Sequence, residues 1–395
     1  LTEETYDVAI VGAGAVGLSA ALAFARDGLK TALVGSLDTR RDGRTVALLD
    51  GSVRFLEALE VWPAVKVEAT PLETLRIIDD TGSLFRPPPV AFRASEIGLD
   101  AFGWNVENAT LVEKLAQAAG GHDRLTVLSA QAVGFQATDS AAVLHLEGQP
   151  DVRGRLVVAA DGRRSKLREI ARIDAKNWSY PQSAVTAILS HDRDHRDAST
   201  EFHTRHGPFT LVPLPGQRSS LVWVTSSEDA QRLASLDDAA FALAIERQAQ
   251  SLLGGMRIEG PRGLVPMTGM SVSRYWSSRL ALVGEAAHVF PPIGAQGLNL
   301  GFRDVAALRD EVMDADNDPG ADLVLRRYQG GRDLDVRLRT AAVDSLNRTL
   351  LTGLLPADLL RGAGLLAISN IGPLRRAIMR EGVLPRIGAP RLMQG

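Results

Sequence analysis

An apolar run that ends in three spaced glycines stands near the start of the chain, Val8-Ala-Ile-Val-Gly-Ala-Gly-Ala-Val-Gly-Leu. Val8–Val11 is apolar and mostly β-branched, which predicts a buried parallel strand. Gly12, Gly14 and Gly17 then follow with the spacing G-x-G-x-x-G. The first glycine permits a tight turn. The second lets a pyrophosphate approach the backbone. The third lets the next helix pack close to the strand. That helix is expected from about Val16 to Asp27, with Leu18, Ala21, Leu22 and Ala25 on one face. Its N-terminus offers free N–H groups and the positive dipole end to an anion. Gly28 ends it, and Lys30–Val34 reads as a second strand. A strand before and a helix after favour a phosphate site over a bare glycine turn.

One position departs from the dinucleotide fingerprint. An acidic residue is expected at the end of the second strand, on the ribose hydroxyls. Gly35 stands there, and Asp38 comes three residues later. This leaves Ser36 or backbone groups to hold the adenosine end.

Composition narrows the class. A chain of 395 residues exceeds the size at which one core keeps growing, so two lobes are expected. Hydrophobic and charged contents of 45% and 23% are ordinary globular values. A net charge of −3 without a long basic run argues against nucleic acid as the partner. The absence of cysteine excludes disulfides, thiolate catalysis and cysteine-ligated iron–sulfur clusters. Redox chemistry would need an organic cofactor or a metal held without thiolates. No run of 18 apolar residues predicts a membrane span, and the early first strand argues against a signal peptide.

The order of patterns gives an organisation. Residues 1–75 read as β-α-β followed by a helix over Asp50–Leu59. Ile77-Ile-Asp-Asp-Thr-Gly reads as a hairpin and Pro87-Pro-Pro as a breaker. Residues 104–175 return to helix and strands. Residues 182–225 are strand-rich, with Phe209-Thr-Leu-Val-Pro-Leu and Ser220-Leu-Val-Trp-Val-Thr as expected neighbours. A helix is expected over 237–253. Residues 279–313 read as strand, loop and long helix, and 323–380 as mainly helical.

Two further stretches stand far along the chain. Leu156-Val-Val-Ala-Ala-Asp-Gly-Arg-Arg-Ser is a buried strand with a turn at Asp161-Gly162. Leu280-Ala-Leu-Val-Gly-Glu-Ala-Ala-His continues into Pro291-Pro-Ile-Gly-Ala-Gln-Gly-Leu-Asn. In this order and spacing, the three stretches resemble the FAD-dependent aromatic hydroxylases, the single-component flavoprotein monooxygenases. Trp104-Asn-Val-Glu-Asn, Gly207-Pro-Phe-Thr-Leu-Val-Pro-Leu and Gln296-Gly-Leu-Asn-Leu-Gly-Phe-Arg-Asp-Val are similar to the ubiquinone-biosynthesis branch. Pro292-Ile-Gly-Ala-Gln departs from the commoner Pro-x-Ala-Gly-Gln order, and the C-terminal segment lacks the usual aromatic pattern.

The resemblance implies an α/β fold. A Rossmann-like FAD-binding domain (1–75, 104–175 and 276–345) is interrupted by a β-sheet-based substrate domain (76–103 and 176–275). A helical segment, 346–395, follows. It implies cofactor contacts at Gly12, Gly14, Gly17, Arg44, Asn108, Asp161, Gly162, Gly284, Glu285, Gly294, Gly297, Leu298 and Asn299. Asn108 could equally be a helix N-cap. Ser165 matches the Asp161-Gly162 motif, which the family links to NAD(P)H use. Glu285 replaces the family's Asp on the ribityl chain and adds one methylene. The helix over Leu298–Met313 would stabilise negative charge on reduced flavin.

The reaction implied is hydroxylation of a polyprenyl phenol in ubiquinone biosynthesis. FAD, NAD(P)H and molecular oxygen act through a flavin C4a-hydroperoxide. No catalytic acid or base is assigned. A ring packed beneath the loop is favoured for His288, and a solvated surface loop for His191-Asp-Arg-Asp-His195. No metal is expected. Pro213, Leu214, Val222 and Trp223 are candidates for the substrate wall. A cytoplasmic protein is expected, with contact at the inner face of a membrane through 351–380 as one reading. Packing on the core or on a sister subunit is another, and a homo-oligomer or an assembly with other pathway proteins stays open. Competing readings are a hydroxylase of small soluble aromatics, a prenyl double-bond reductase and a non-catalytic flavin- or prenyl-binding scaffold.

Overall fold

The computed structural model describes residues 5–82, 88–291, 295–315, 318–351, 372–383 and 389–394. The first apolar run forms the strand Thr5–Val11, whose Val8, Ala9 and Ile10 are fully buried. It pairs in parallel with Thr31–Val34 on one side and with Val152–Ala159 on the other. Val152–Ala159 pairs in parallel with Leu280–Leu282. The sheet order is therefore Trp276–Ser277, Leu280–Leu282, Val152–Ala159, Thr5–Val11, Thr31–Val34 and Leu125–Leu128. The three strands that carry the three motifs are adjacent, and their motif turns follow at the same ends.

The helix Ala15–Arg26 crosses over between the first two strands. Ten of its twelve residues are buried, most of them alanine or other small residues. This lets the sheet and the helices Asn108–Gly120 and Gln296–Met313 close on it from several sides. Each fully buried Val, Leu or Ile stabilises such a core by about 1.5–3 kcal/mol. The helix ends at Gly28, which takes a left-handed backbone (φ 88°) as a C-terminal stop. Asp27 at that end receives two hydrogen bonds from Arg309, at 2.6 and 2.7 Å.

A second sheet of eight strands lies beside the first. Its order is His288–Val289, Met256–Val272, Ala175–His191, Arg218–Ser226, Gly207–Leu214, Ala198–Thr204, Thr74–Asp79 and Val90–Arg93. The expected neighbours pair antiparallel, with Phe209 opposite Trp223. The expected hairpin is the antiparallel pair Thr74–Asp79 and Val90–Arg93. The seventeen-residue strand Met256–Val272 has no counterpart in the sequence reading. The helix expected over 237–253 forms as Asp238–Gln248, and a further helix, Ser227–Ala234, precedes it; each is started by an N-cap side chain, Asp237 and Ser226.

Alternation sorts this sheet into two faces. Val185, Phe202 and Phe209 turn outward into a core completed by Phe241 and Ile245 of the second helix, with Trp223 packed against it. Ala184 and Val224 turn inward with Val222. The inner face meets the first lobe: the Thr45 hydroxyl donates to Ser220 Oγ at 2.8 Å, and Asn105 Nδ2 donates to the Pro213 carbonyl at 2.8 Å. Val222 therefore lies on the inner wall, as expected. Trp223 does not; strand alternation sends it to the outer core.

The chain's end returns to both lobes. Helix Gly372–Val383 docks beside Val90–Arg93: Arg375 binds Glu96 through two bonds, at 2.6 and 2.7 Å, and Met379 is buried with Val90, Phe92, Ile97 and Phe102. Met393 is buried in the first core. Residues 352–371, most of the segment read as a membrane or tail contact, lie outside the described residues.

Candidate functional site

The three motif turns meet at one place. A Cβ on Gly12 would lie 2.2 Å from the Ala160 carbonyl oxygen, and one on Gly17 would lie 1.8 Å from the Gly12 carbonyl oxygen. No side chain fits at either position. A Cβ on Gly301 would lie 2.7 Å from Val16 Cγ2, and one on Gly284 would lie 3.2 Å from the same side chain. Val16 thus stands at the junction of the first and third motifs. Gly14 is different: it is exposed, extended (φ −81°), and a Cβ there would meet nothing within 4 Å. Open space lies over a helix N-terminus whose first N–H groups have no side-chain cap. This is the environment an anionic group requires.

The missing acidic residue has a steric cause. A Cβ on Gly35 would lie 2.8 Å from the Ala13 backbone nitrogen. The glycine turn and the second strand approach too closely for any side chain there. Asp38 is exposed and bound by Arg40 through bonds at 2.7, 2.9 and 3.1 Å.

At the second turn, Asp161 Oδ2 accepts the Leu167 N–H at 3.3 Å, while Oδ1 is buried with no hydrogen-bond partner among the described residues. Burial pushes the Asp161 carboxyl above the usual carboxylate range. An unsatisfied buried oxygen is costly, and a ligand hydroxyl or amide would satisfy it. Ser165 caps the next helix, accepting the Arg168 N–H at 3.0 Å. Arg168, which the sequence reading missed, is buried and donates to the carbonyls of Ala286 (3.0 Å) and Arg163 (2.9 Å). It ties the second turn to the third. Beside this turn, Arg163, Trp178, Thr268, Met270 and Val289 line a cavity of about 360 Å³.

Gly284-Glu285 forms a single 3₁₀ turn after Leu280–Leu282. The Glu285 side chain is exposed and has no hydrogen-bond or ion-pair partner among the described residues. The turn is held from below by Asp304, which is fully buried. Asp304 Oδ2 accepts the Gly284 N–H at 2.9 Å and His288 Nε2 at 2.7 Å, and Oδ1 accepts Arg332 Nε at 2.7 Å. His288 is therefore packed beneath the loop, as expected, with its ring 5.3 Å from that of Phe290. Burial alone would raise the Asp304 carboxyl, but the charges of His288 and Arg332 outweigh it and hold the group below its usual range.

The long helix begins at Gln296, two residues before the expected Leu298. Its N-cap is Ala295 in the left-handed region (φ 54°), which costs roughly 1–2 kcal/mol for a residue with a Cβ. The commoner Pro-x-Ala-Gly-Gln order would place glycine there. Gly297 is half-buried, with open space where a Cβ would be. Gly294, named with it, lies outside the described residues. Asn299 is fully engaged by protein: Oδ1 accepts from Leu49 N (2.9 Å) and Ser52 Oγ (2.6 Å), and Nδ2 donates to the carbonyls of Ala47 (2.8 Å) and Ala295 (2.5 Å). Its side chain bridges the long helix to the strand Thr45–Leu49 and the helix Asp50–Ala58.

Arg44 and Asn108 are brought together, since the Arg44 carbonyl accepts the Asn108 N–H at 3.0 Å. The Arg44 guanidinium is exposed beside Asp42 (2.6 Å). Asn108 is the first helical residue after the N-cap Glu107, and no side chain caps this helix. The N-cap alternative for Asn108 therefore fails.

His191 and His195 differ from the expected solvated loop. Both rings turn inward. His191 is bound by the Arg193 carbonyl (2.7 Å) and Ser219 Oγ (2.9 Å), and His195 by the Leu214 carbonyl (3.0 Å) and Asp197 N–H (3.1 Å). Only the charged residues between them are exposed. Among the described residues no group of three or more His, Asp and Glu is placed to hold a metal.

An open phosphate-type turn, a buried orphan carboxylate oxygen, an exposed unpaired carboxylate and two uncapped helix N-termini converge here. They fit a flavin dinucleotide. Residues 5–337 match the FAD binding domain family. The chain is 35% identical to the ubiquinone hydroxylase UbiL of Rhodospirillum rubrum, covering 100% of this chain and 94% of that protein. The chain belongs to the FAD-dependent ubiquinone-biosynthesis hydroxylases. It is also 31% identical to the 3-demethoxyubiquinol 3-hydroxylase of Escherichia coli, over 96% of this chain and 99% of that one. Among solved structures, p-nitrophenol 4-monooxygenase PnpA from Pseudomonas putida shares the fold, with a TM-score of 0.80 over 97% of this chain and 99% of that chain at 16% identity. As a member of this family, the chain is an FAD-dependent aromatic hydroxylase, with NAD(P)H the usual donor.

Proposed function

We propose that this protein hydroxylates the aromatic ring of a polyprenyl phenol in ubiquinone biosynthesis. The observation that carries the reading is whole-length similarity to two ubiquinone-pathway hydroxylases, together with convergence of the three motif turns on one open site. Bound FAD supplies the oxidising chemistry, passing two electrons from NAD(P)H to O₂ so that one oxygen atom enters the ring and the other leaves as water.

The chain's own residues hold and orient. The Gly12-x-Gly14 turn and the helix N-terminus behind it receive the pyrophosphate. Glu285 accepts a ribityl hydroxyl. Asp161 Oδ1 accepts a further hydroxyl or amide. Gly297, Leu298 and Asn299 contribute backbone groups, the Asn299 amide being spent on bridging three elements. Backbone near Gly284 borders the same site, Gly294 is kept as a contact on the resemblance alone, and Arg44 and Asn108 close its adenosine side. The cavity beside Arg163 supports approach of the anionic donor from that flank.

The domain division 1–75, 104–175 and 276–345 against 76–103 and 176–275, followed by 346–395, is kept as a proposal. The two sheets support it, with His288–Val289 crossing to the second sheet. No helix among the described residues is long and apolar enough to cross a membrane. Contact with a membrane surface through 351–380, and a homo-oligomer or assembly with pathway proteins, belong to this proposal. Comparing kcat/KM for a prenyl phenol and for the same ring without its tail tests the substrate class. Equal values would favour a small-aromatic hydroxylase.

A further inference from the structure

A carboxylate–imidazole pair sits on the inner wall of the second sheet, outside the cofactor turns. His203 and Glu201 are two residues apart on the strand Ala198–Thr204, so both side chains leave the same face. That face is fixed by register. Glu201 lies opposite Thr210, which lies opposite Val222; His203 lies opposite Pro208 in the row that continues through Val224 and Ala184. Ser220 on this face bonds to Thr45 of the first lobe. The pair therefore faces the lobe that carries the motif turns.

Its geometry leaves one atom waiting. His203 is 7% exposed. Its Nε2 lies 2.7 Å from Glu201 Oε1, and Glu201 Oε2 accepts the Thr210 hydroxyl at 3.3 Å. A carboxylate accepts, so in the neutral ring Nε2 carries the proton and Nδ1 is an acceptor. Nδ1 is buried without a partner among the described residues. A buried acceptor needs a donor, and a phenol O–H is one. Beside the pair, Leu75, Ile77, Val90, Phe92 and Met379 form an apolar cluster on the same face. Polar head and apolar tail contacts lie side by side.

We propose that His203, oriented by Glu201, is the base that takes the phenol proton before oxygen transfer. The phenol O–H bond breaks and Nδ1–H forms. The positive charge gained by the ring is met by the Glu201 carboxylate. The phenolate electron pair enriches the aromatic carbon that receives oxygen, and the proton returns to the product's phenolate oxygen. His288 has a similar pairing, with Nε2 on Asp304 and Nδ1 buried without a partner among the described residues, but its carboxylate also holds Arg332 and the Gly284 N–H and so belongs to the support of the cofactor turn. This rests on the prenyl-phenol reading and adds the residue that activates the ring.

The test uses the FAD-loaded full chain with a short-tailed prenyl phenol and its ring-fluorinated counterpart, chosen so that its hydroxyl is already ionised at the assay pH. His203→Gln should lower hydroxylation of the plain phenol by about 100-fold or more. FAD occupancy and the rate of flavin reduction by NAD(P)H should stay at wild-type values. The fluorinated phenol should recover most of the lost rate. Equal losses on both phenols, or no loss on either, overturn the proposal. If His203→Gln does not load FAD, Glu201→Gln carries the same comparison, with a loss of about tenfold on the plain phenol only. A wild-type protein that hydroxylates neither phenol overturns the substrate reading and this inference with it.

Discussion

The carboxylate of Asp304, without solvent exposure, accepts the backbone N–H of Gly284 at 2.9 Å. One helix residue thus fixes the turn that presents Glu285. The same carboxylate is neutralised by Arg332, itself 1% exposed, and by the His288 ring. Removing Asp304 leaves the Gly284 N–H and His288 Nε2 without their acceptor.

Asp304→Asn should destabilise the fold by about 3–5 kcal/mol, because the buried network loses its central charge and Arg332 is left with Asp335 as its remaining carboxylate. The sign with pH follows from the lowered carboxyl. Its stabilisation is present above the usual carboxylate range and is lost as pH falls through the lowered value. Urea denaturation as a function of pH should show a shallower acid limb in the variant. An unchanged midpoint would mean the network is energetically idle.

Gly14 and Gly17 should respond in opposite ways. A Cβ on Gly17 collides with backbone at 1.8 Å, whereas one on Gly14 enters open space. Gly17→Ala should fail to fold or lose several kcal/mol. Gly14→Val should fold with a near wild-type melting temperature when stripped of flavin, yet bind FAD at least 100-fold more weakly. Flavin titration followed by fluorescence checks this; retained affinity in Gly14→Val would remove the pyrophosphate from that turn.

Asp161 titrates in the other direction from Asp304. Burial raises its carboxyl, so its contribution to stability is present at low pH and is lost as pH rises through the raised value. Asp161→Asn should therefore stabilise the flavin-free protein at neutral pH by about 1–3 kcal/mol. The advantage should fade toward pH 4. The same variant should bind FAD more weakly, since the orphan oxygen no longer offers a charged acceptor. Thermal melts with and without FAD separate the two effects.

Much of the first lobe was legible because its signals are local. Apolar runs, glycine spacing and the turns after Val11, Ala160 and Val283 each fall within a dozen residues, and the three strands prove to be neighbours. The strand Met256–Val272 was not legible. Gly260, Pro261, Gly263 and Pro266 interrupt it, and bulges against Ala175–His191 absorb them. The resemblance implies Asn299 as a cofactor contact, whereas its amide's bridge to Ala47, Leu49 and Ser52, about 250 residues away in sequence, is made only by the fold. Nothing local in the sequence marks Asp304 and Arg332 as partners, since they stand 28 residues apart and meet only through the packing of two helices. His203 could have been found from the alternation Glu201-x-His203, which places both on one face of a strand.

The central claim is oxygen insertion into a tailed phenol. The direct measurement is mass spectrometry of the product formed from a prenyl phenol by the purified FAD-loaded protein and NAD(P)H under ¹⁸O₂. One ¹⁸O atom in the ring hydroxyl is expected, with turnover far above that of the tailless ring. A product without ¹⁸O, or one reduced in its prenyl double bonds, would contradict the account.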